Sequence, residues 1–353
     1  MQDLTKLWSR GIAQMAPYVP GEQPQGDGWI KLNTNENPYP PSPMAVEAMA
    51  AAVHSRMPLY PDPQSLQFRQ VLSDRFGVPV EGTFVGNGSD EILAFAFRAF
   101  FQREGDLLFP DVTYSFYPVY ARFWEIPFRA IPLREDFSIC VDDYAGPASG
   151  VIFPNPNAPT ASPVALAEVE AMAIAHPDCV VLVDEAYVDF GAESAVPLLD
   201  KHPNLLVVQT LSKSWSLAGL RVGFALGHPT LISGLERVRD SFNSYTLDRV
   251  AQVGATAALS DDAWFRDITG KINATRERFV AGLQELGFDV LPSKANFVFA
   301  AHPRLLAKEL LAALREHKIL VRAFGGARLE RHARITIGTD AQMDRVLEVL
   351  RGF

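Results

Sequence analysis

Cysteine is scarce in this 353-residue chain, which has only Cys140 and Cys179. Two isolated thiols do not make the disulfide framework of a small secreted domain, so a reducing, cytoplasmic setting is expected. Long apolar stretches are missing too: no run reaches the roughly 18 residues of a membrane-spanning helix. The opening MQDLTKLWSRGIAQM lacks the apolar core and small-residue cleavage site of a signal peptide. Positive charge is in deficit, with 32 Lys and Arg against 41 Asp and Glu and a net charge of −9. That balance argues against nucleic acid or an anionic membrane as the main partner and leaves small molecules. Hydrophobic residues, by contrast, make up 48% of the chain, enough at this length for two domains.

The first forty-odd residues, rich in Pro, Gly and Asn, read as an extended arm, because Pro and Gly punctuate regular structure. A helix is expected around Met44–Met57, followed by a break at Tyr60-Pro61-Asp62-Pro63. Then short apolar runs at Asp106–Phe109, Gly150–Phe153, Val180–Val183, Leu205–Gln209 and Gly223–Leu226 alternate with helical stretches such as Ser89–Arg103 and Val164–Ala175. Buried strands alternating with helices indicate an α/β fold, a mostly parallel sheet covered on both faces. After Asp240–Gly254 the pattern shifts to helices near Ala263–Leu286 and Pro303–Glu316 with strands NFVFA, ILVRA and ARITIG, a smaller α+β unit. The expected parts are an arm over 1–45 joining the small domain or a partner subunit, a large domain over 46–250 and a small domain over 251–353.

Four polar clusters fall where open α/β sheets bind ligands, at strand ends. Gly86-Asn87-Gly88-Ser89-Asp90-Glu91 opens a helix, and glycines with free helix N–H groups suit a phosphate, although a plain capped helix reads the same way. Val180–Val183 runs into Asp184 and Glu185, with Tyr187 beyond; a buried carboxylate there calls for a cation, and a capping or metal-binding pair is the bland alternative. Lys213 follows another apolar strand, and a partly desolvated amine is the form that attacks an aldehyde. Arg221, eight residues on, offers a fork matched to phosphate. Any one of these has an ordinary structural reading. All four in this chain order match what pyridoxal 5'-phosphate (PLP) requires, whereas GNGSDE lacks the third glycine of a dinucleotide loop. No metal is implied.

The motifs PYVPGE, LNTNENPYPPSP, YPDP, GNGSDE, TYSFY, NPNAPT, VDEAY, TLSKSWSLAGLRVG, ANFVF and RITIGT span nearly the whole chain. In that order they resemble the fold-type I PLP-dependent aminotransferases, and LN-x-NENP-Y with YPDP and GNGSDE narrows the resemblance to the histidinol-phosphate group. The resemblance implies that Lys213 forms the Schiff base and shuttles a proton, that Asp184 pairs with the pyridine nitrogen, and that Tyr187 meets the ring hydroxyl. It implies stacking by Tyr114 and a phosphate held by Gly88, Ser89, Asp90, Ser212 and Arg221. Tyr60 would reach the cofactor of the other subunit in a homodimer with shared sites. Arg334 would take the α-carboxylate, and Tyr18, Asn35 and Arg322 would line the substrate pocket; a structural salt bridge accounts for Arg322 equally well.

One position departs from the family pattern. Where the family often has an Asn before Pro-Thr-Gly, this chain has Ala158 before Pro159-Thr160-Ala161. Either Asn157 takes over the ring contact or Tyr187 carries it alone. The implied reaction is transamination between L-histidinol phosphate and 2-oxoglutarate. Aromatic amino acid transamination and threonine-phosphate decarboxylation are the alternatives on the same scaffold. A non-catalytic PLP-sensing module would carry a DNA-binding segment where this chain has an arm.

Overall fold

Apolar runs of four to six residues, too short for helices and rich in Val, Leu and Phe, become the strands of one sheet. The computed structural model describes residues 4–9, 11–53 and 56–352. Residues 1–3 and 10 of the expected arm, 54–55 of the expected 44–57 helix and 353 at the expected small-domain end lie outside the described residues.

In chain order the elements are β1 (Ile30–Lys31), α1 (Pro43–Ala52), α2 (Leu66–Phe76), β2 (Thr83–Asn87), α3 (Gly88–Ala96), β3 (Leu107–Pro110), α4 (Tyr117–Phe123) and β4 (Phe128–Ile131). There follow β5 (Gly150–Pro154), α5 (Leu166–Ala175), β6 (Val180–Asp184), β7 (Leu205–Thr210), β8 (Val222–Gly227), α6 (Pro229–Phe242) and α7 (Arg249–Leu259). The chain ends with α8 (Asp262–Glu285), β9 (Asp289–Val290), β10 (Phe297–Ala301), α9 (Ala307–Glu316), β11 (Ile319–Leu320), β12 (Arg322–Ala323), β13 (His332–Thr336) and α10 (Asp340–Leu350).

Seven strands form the large sheet in the order β2-β8-β7-β6-β5-β3-β4. Only β8 runs against the rest, antiparallel to both β2 and β7. Period-two alternation sends side chains to opposite faces. Val181, Val183, Leu205 and Val207 pack on one face with α2, α5 and α7, and Leu182, Leu206 and Val208 pack on the other with α3, α4 and α6. The fold is therefore α/β, with a mostly parallel sheet sandwiched by helices, as the strand–helix alternation implies.

The second unit is an antiparallel sheet, β12-β13-β10-β9, covered by α8, α9 and α10 around Ile272, Phe279, Val298 and Ile335. The arm joins this unit: β1 pairs parallel with β11, and Leu32 enters its core. Helix α7, which follows the expected change of domain, packs Ala251, Ala255, Ala258 and Leu259 into the cluster that holds α2 and α5. The helix expected from Ser89 starts one residue earlier, with Asn87 as N-cap, and gives way to a single π turn at Phe97–Phe101.

Candidate active site

The carboxyl ends of β2, β6 and β7 lie on one edge of the large sheet, and because β8 runs the other way its first residues lie there as well. The register states this directly: Asn87 pairs with Val222, Thr210 with Gly223, and Pro154 with Asp184. Residues from these and other strand ends thus line a single cavity of about 220 Å³, closed on the far side by the arm and by β12 and β13. Tyr18, Asn35, Ser89, Asp90, Tyr114, Asp184, Tyr187, Ser212, Lys213, Arg221, Arg322 and Arg334 all line it.

Lys213 stands just beyond β7, its Nζ donating to the Thr34 carbonyl at 3.4 Å and lying 5.7 Å from the Tyr187 ring centre. Its backbone is clamped from two sides. Asn37 Nδ2 donates to the carbonyls of Lys213 (2.9 Å) and Ser214 (3.3 Å), and the Ser214 hydroxyl donates to Asp189 at 2.5 Å.

Asp184 closes β6 with 4% of its surface exposed. Its hydrogen bonds come from the Tyr117 hydroxyl (2.9 Å) and the Ala186 N–H (3.3 Å), neither of them a cation. Burial pushes its pKa up to about 6. Glu185, one residue on, is turned to the opposite side of the sheet by the strand alternation. There it accepts from Ala195 N–H, Ser194 Oγ and Gln209 Nε2, and burial pushes it up to about 7.

At the other end of the cavity, α3 and the start of β8 touch so closely that glycine is required on both sides. A Cβ on Gly223 would lie 2.5 Å from Ser89 N, and one on Gly88, whose φ is +77°, would lie 2.6 Å from an Arg221 nitrogen. The cradle thus presents the first N–H groups of a helix beside a guanidinium, with the Ser212 hydroxyl nearby. Arg221 pairs with Asp90 at 3.1 Å, and Asp90 also accepts from Tyr114 O–H at 2.8 Å. Burial, and then Asp90, holds the Tyr114 phenol well above its ordinary pKa, so it stays a donor.

Opposite the cradle, Arg322 and Arg334 are direct register partners on β12 and β13. Arg334 is packed 5.3 Å from the centre of Phe297 and 5.5 Å from that of Phe324; its Nη2 donates to Asn33 O at 2.9 Å, and its Nε is enclosed without an acceptor. Enclosure lowers its pKa, and the neighbouring Arg322 guanidinium acts in the same direction; among the described residues neither arginine is in an ion pair with an acid. Two adjacent guanidiniums without an acid form a site for an anion. Asn35, with φ +56° and 1% exposed, donates to the Tyr187 hydroxyl at 2.9 Å and ties it to Thr336 on β13. Tyr18 stacks on Phe116 with ring centres 4.3 Å apart.

Two sequence candidates lie elsewhere. Asn157 does not line the cavity. Its Nδ2 donates to Val112 O (2.9 Å) and Thr160 Oγ1 (3.0 Å), its Oδ1 accepts from Thr113, and the wall there is Ala158. The amide hydrogen bonds are spent on shaping its own loop. Tyr60 is 77% exposed, outside the cavity and stacked on Tyr245 at 4.4 Å. Thr34, Glu36, Asn37, Thr210 and Tyr117 were not singled out from the sequence, although NENP and the Tyr114/Tyr117 spacing were in view. Glu36 lines the cavity; burial raises its pKa, but hydrogen bonds from Lys31 and Thr34 outweigh that and leave it lowered. Among the described residues no group of three or more His, Cys, Asp or Glu is placed to hold a metal, and no helix is long and apolar enough to cross a membrane.

A buried carboxylate awaiting a cation, an amine beside it, a phosphate cradle and an anion-binding arginine pair define a fold-type I PLP site, and the group fits the residues present. The chain belongs to the family described as aminotransferase class I and II, whose profile matches residues 27–350. It is 57% identical over 348 residues to histidinol-phosphate aminotransferase of Acetobacter pasteurianus, covering 99% of this chain and 98% of that one. It is 56% identical to histidinol-phosphate aminotransferase 1 of Bordetella parapertussis, with 99% of each covered. Among solved structures, the histidinol-phosphate aminotransferase of Sinorhizobium meliloti in complex with pyridoxal-5'-phosphate matches with a TM-score of 0.82 at 25% identity, covering 92% of this chain and 91% of that one.

Proposed function

We propose that this protein is a PLP-dependent aminotransferase that transfers the amino group between L-histidinol phosphate and 2-oxoglutarate, a step of histidine biosynthesis. The observation that carries the reading is the Arg322–Arg334 pair facing Lys213 and Asp184 across one cavity, with the phosphate cradle behind them. Full-length identity above one half with relatives named for that reaction supports the choice of substrate.

When bound, PLP supplies an aldehyde for the donor amine and a ring that draws off the electrons of the Cα–H bond. Asp184, whose hydrogen-bond donors are both neutral, would offer its buried carboxylate to the protonated ring nitrogen. Gly88, Ser89 and Asp90 N–H groups, with Ser212 and Arg221, would hold the cofactor phosphate. Tyr114 would stack on the ring, and Tyr187, itself held by Asn35, would donate to the phenolate oxygen. Lys213 Nζ would anchor the cofactor and carry the proton taken from the substrate Cα. Arg334 clamps the α-carboxylate, and Arg322 reads the second anion, the phosphate ester of one substrate or the distal carboxylate of the other. Tyr18 and Asn35 shape the remaining wall.

The large unit carries the cofactor groups; the small unit, with the arm, carries the arginines. Tyr60, displayed away from its own cavity, is the residue we assign to the cofactor of a second subunit in a homodimer. Two unpaired cysteines support a cytoplasmic setting. The deciding experiment mixes purified PLP-loaded protein with L-histidinol phosphate and 2-oxoglutarate and measures glutamate. No glutamate there, with ready turnover of phenylalanine, refutes the substrate assignment.

A further inference from the structure

Tyr117 lies beneath the cavity floor, with none of its surface exposed, at the first turn of α4. It follows Tyr114 by three residues, and the two rings meet edge to face with centres 5.7 Å apart. Further contacts with Phe109 (6.0 Å) and Phe97 (6.4 Å) fix the direction of its ring. The hydroxyl so aimed donates to Asp184 Oδ2 at 2.9 Å, while the Ala186 N–H meets the other oxygen, Oδ1, at 3.3 Å. Each carboxylate oxygen thus has one neutral donor, and the stronger, shorter bond is the one from Tyr117.

A carboxylate at the end of a strand is otherwise free to turn about its last torsion, and in a low-dielectric floor its charged form is expensive. Tyr117 opposes both tendencies. Burial and the neighbouring Asp184 keep the phenol protonated, so it is a permanent donor. The same hydrogen bond counteracts the rise in the Asp184 pKa that burial causes.

We propose that Tyr117 is a positioning residue that holds Asp184 ionised and in a single orientation for the ring nitrogen of PLP, an inference that rests on the role assigned to Asp184 above. Tyr117 does not line the cavity, and the acceptor of its hydroxyl is Asp184; Phe at this position keeps the ring contact with Tyr114 and removes only that hydrogen bond.

The test compares Tyr117→Phe, Asp184→Asn and the double variant with Tyr144→Phe. Tyr144 is an equally buried tyrosine whose hydroxyl has no partner, so Tyr144→Phe makes the same chemical change without the bond. Read out are the PLP dissociation constant by tryptophan fluorescence, the visible absorption of the bound cofactor, and kcat and KM for L-glutamate, all per folded, PLP-containing site. Loss of one charge-assisted hydrogen bond predicts for Tyr117→Phe a fall in kcat of about tenfold or more, weaker PLP retention and an altered cofactor spectrum. KM for glutamate should stay within about twofold, and the Tyr117→Phe change should add less than about twofold in the Asp184→Asn background, because coupled residues are not additive. Tyr144→Phe should match the parent.

A Tyr117→Phe protein with parental kcat, PLP affinity and spectrum overturns the proposal. So does an equal loss in both backgrounds, which would make Tyr117 a general packing residue. If Asp184→Asn itself keeps full activity and PLP affinity, the role of Asp184 falls and the proposal with it. If Asp184→Asn is crippled while Tyr117→Phe is not, only the proposal falls.

Discussion

Replacing Asp184 by Asn is expected to stabilise the cofactor-free protein while disabling the loaded one. Without PLP the carboxyl is 4% exposed, its donors are neutral, and burial pushes its pKa from 3.8 to about 6. An acid whose folded pKa is raised contributes stability below its unfolded pKa and loses it as pH climbs through the folded value. The loss therefore develops between about pH 4 and 6, and at about 1.4 kcal/mol per pH unit it reaches roughly 3 kcal/mol above that window.

Asn carries no charge and keeps an oxygen for Tyr117, but it gives up the long bond from Ala186 N–H, worth about 1 kcal/mol. The cofactor-free variant should then be about 2 kcal/mol more stable than the parent at pH 8, a rise of a few degrees in Tm, and no more stable at pH 4. Glu185 titrates in both proteins and cancels in the comparison. Saturating PLP should reverse the order, because a protonated ring nitrogen would pair with the charge of Asp184 and not with a neutral Asn. Thermal unfolding of stripped and loaded protein at both pH values measures all four numbers. A cofactor-free Asp184→Asn protein no more stable than the parent at pH 8 refutes the reasoning.

Gly223→Ala drives a methyl against the backbone of Gly88 and Ser89, neither of which can swing aside. A loss of about 1–3 kcal/mol in stability and weaker PLP retention are expected, and unchanged values of both would show that the cradle yields. Arg334→Lys replaces a fork by a single ammonium, so kcat/KM for glutamate and for histidinol phosphate should fall about tenfold to a hundredfold; a parental value would remove Arg334 from the substrate site. Tyr60→Phe should weaken PLP retention, and mixing it with Lys213→Ala should restore some activity through heterodimers. Absence of any complementation would argue against a shared site.

Much of the site was legible because its chemistry is local in sequence. The Gly86–Glu91 turn, the Asp184 strand end and Lys213 sit where an apolar run stops and Arg221 where the next begins, and such junctions at a sheet edge converge. The elements that escaped notice lack that contrast. β2 is hidden inside the glycine motif it leads to, and β4, an edge strand of Phe128–Ile131 with two exposed positions, shows little apolar pattern. α7 is an alanine-rich helix, and its sequence does not say which core its small face meets; it packs with α2 and α5. The placement of Asn157 and Tyr117 was hidden for a related reason. Both are polar side chains next to the site, and sequence spacing does not say that one amide turns into its own loop while one phenol turns towards Asp184.

The order of the motifs, the alternation of strand and helix and the charge balance by themselves determined the fold class, the lysine and the class of cofactor, because each rests on residue type and near-neighbour spacing. That Glu185 turns away into its own hydrogen bonds, that Arg322 and Arg334 stand side by side, and that Tyr117 braces Asp184 from below were decided only by the tertiary structure. These depend on strand register and on contacts between separate elements, such as Tyr117 with Asp184, 67 positions on, and Arg334 with Asn33, 301 positions back, and no local pattern encodes such a meeting.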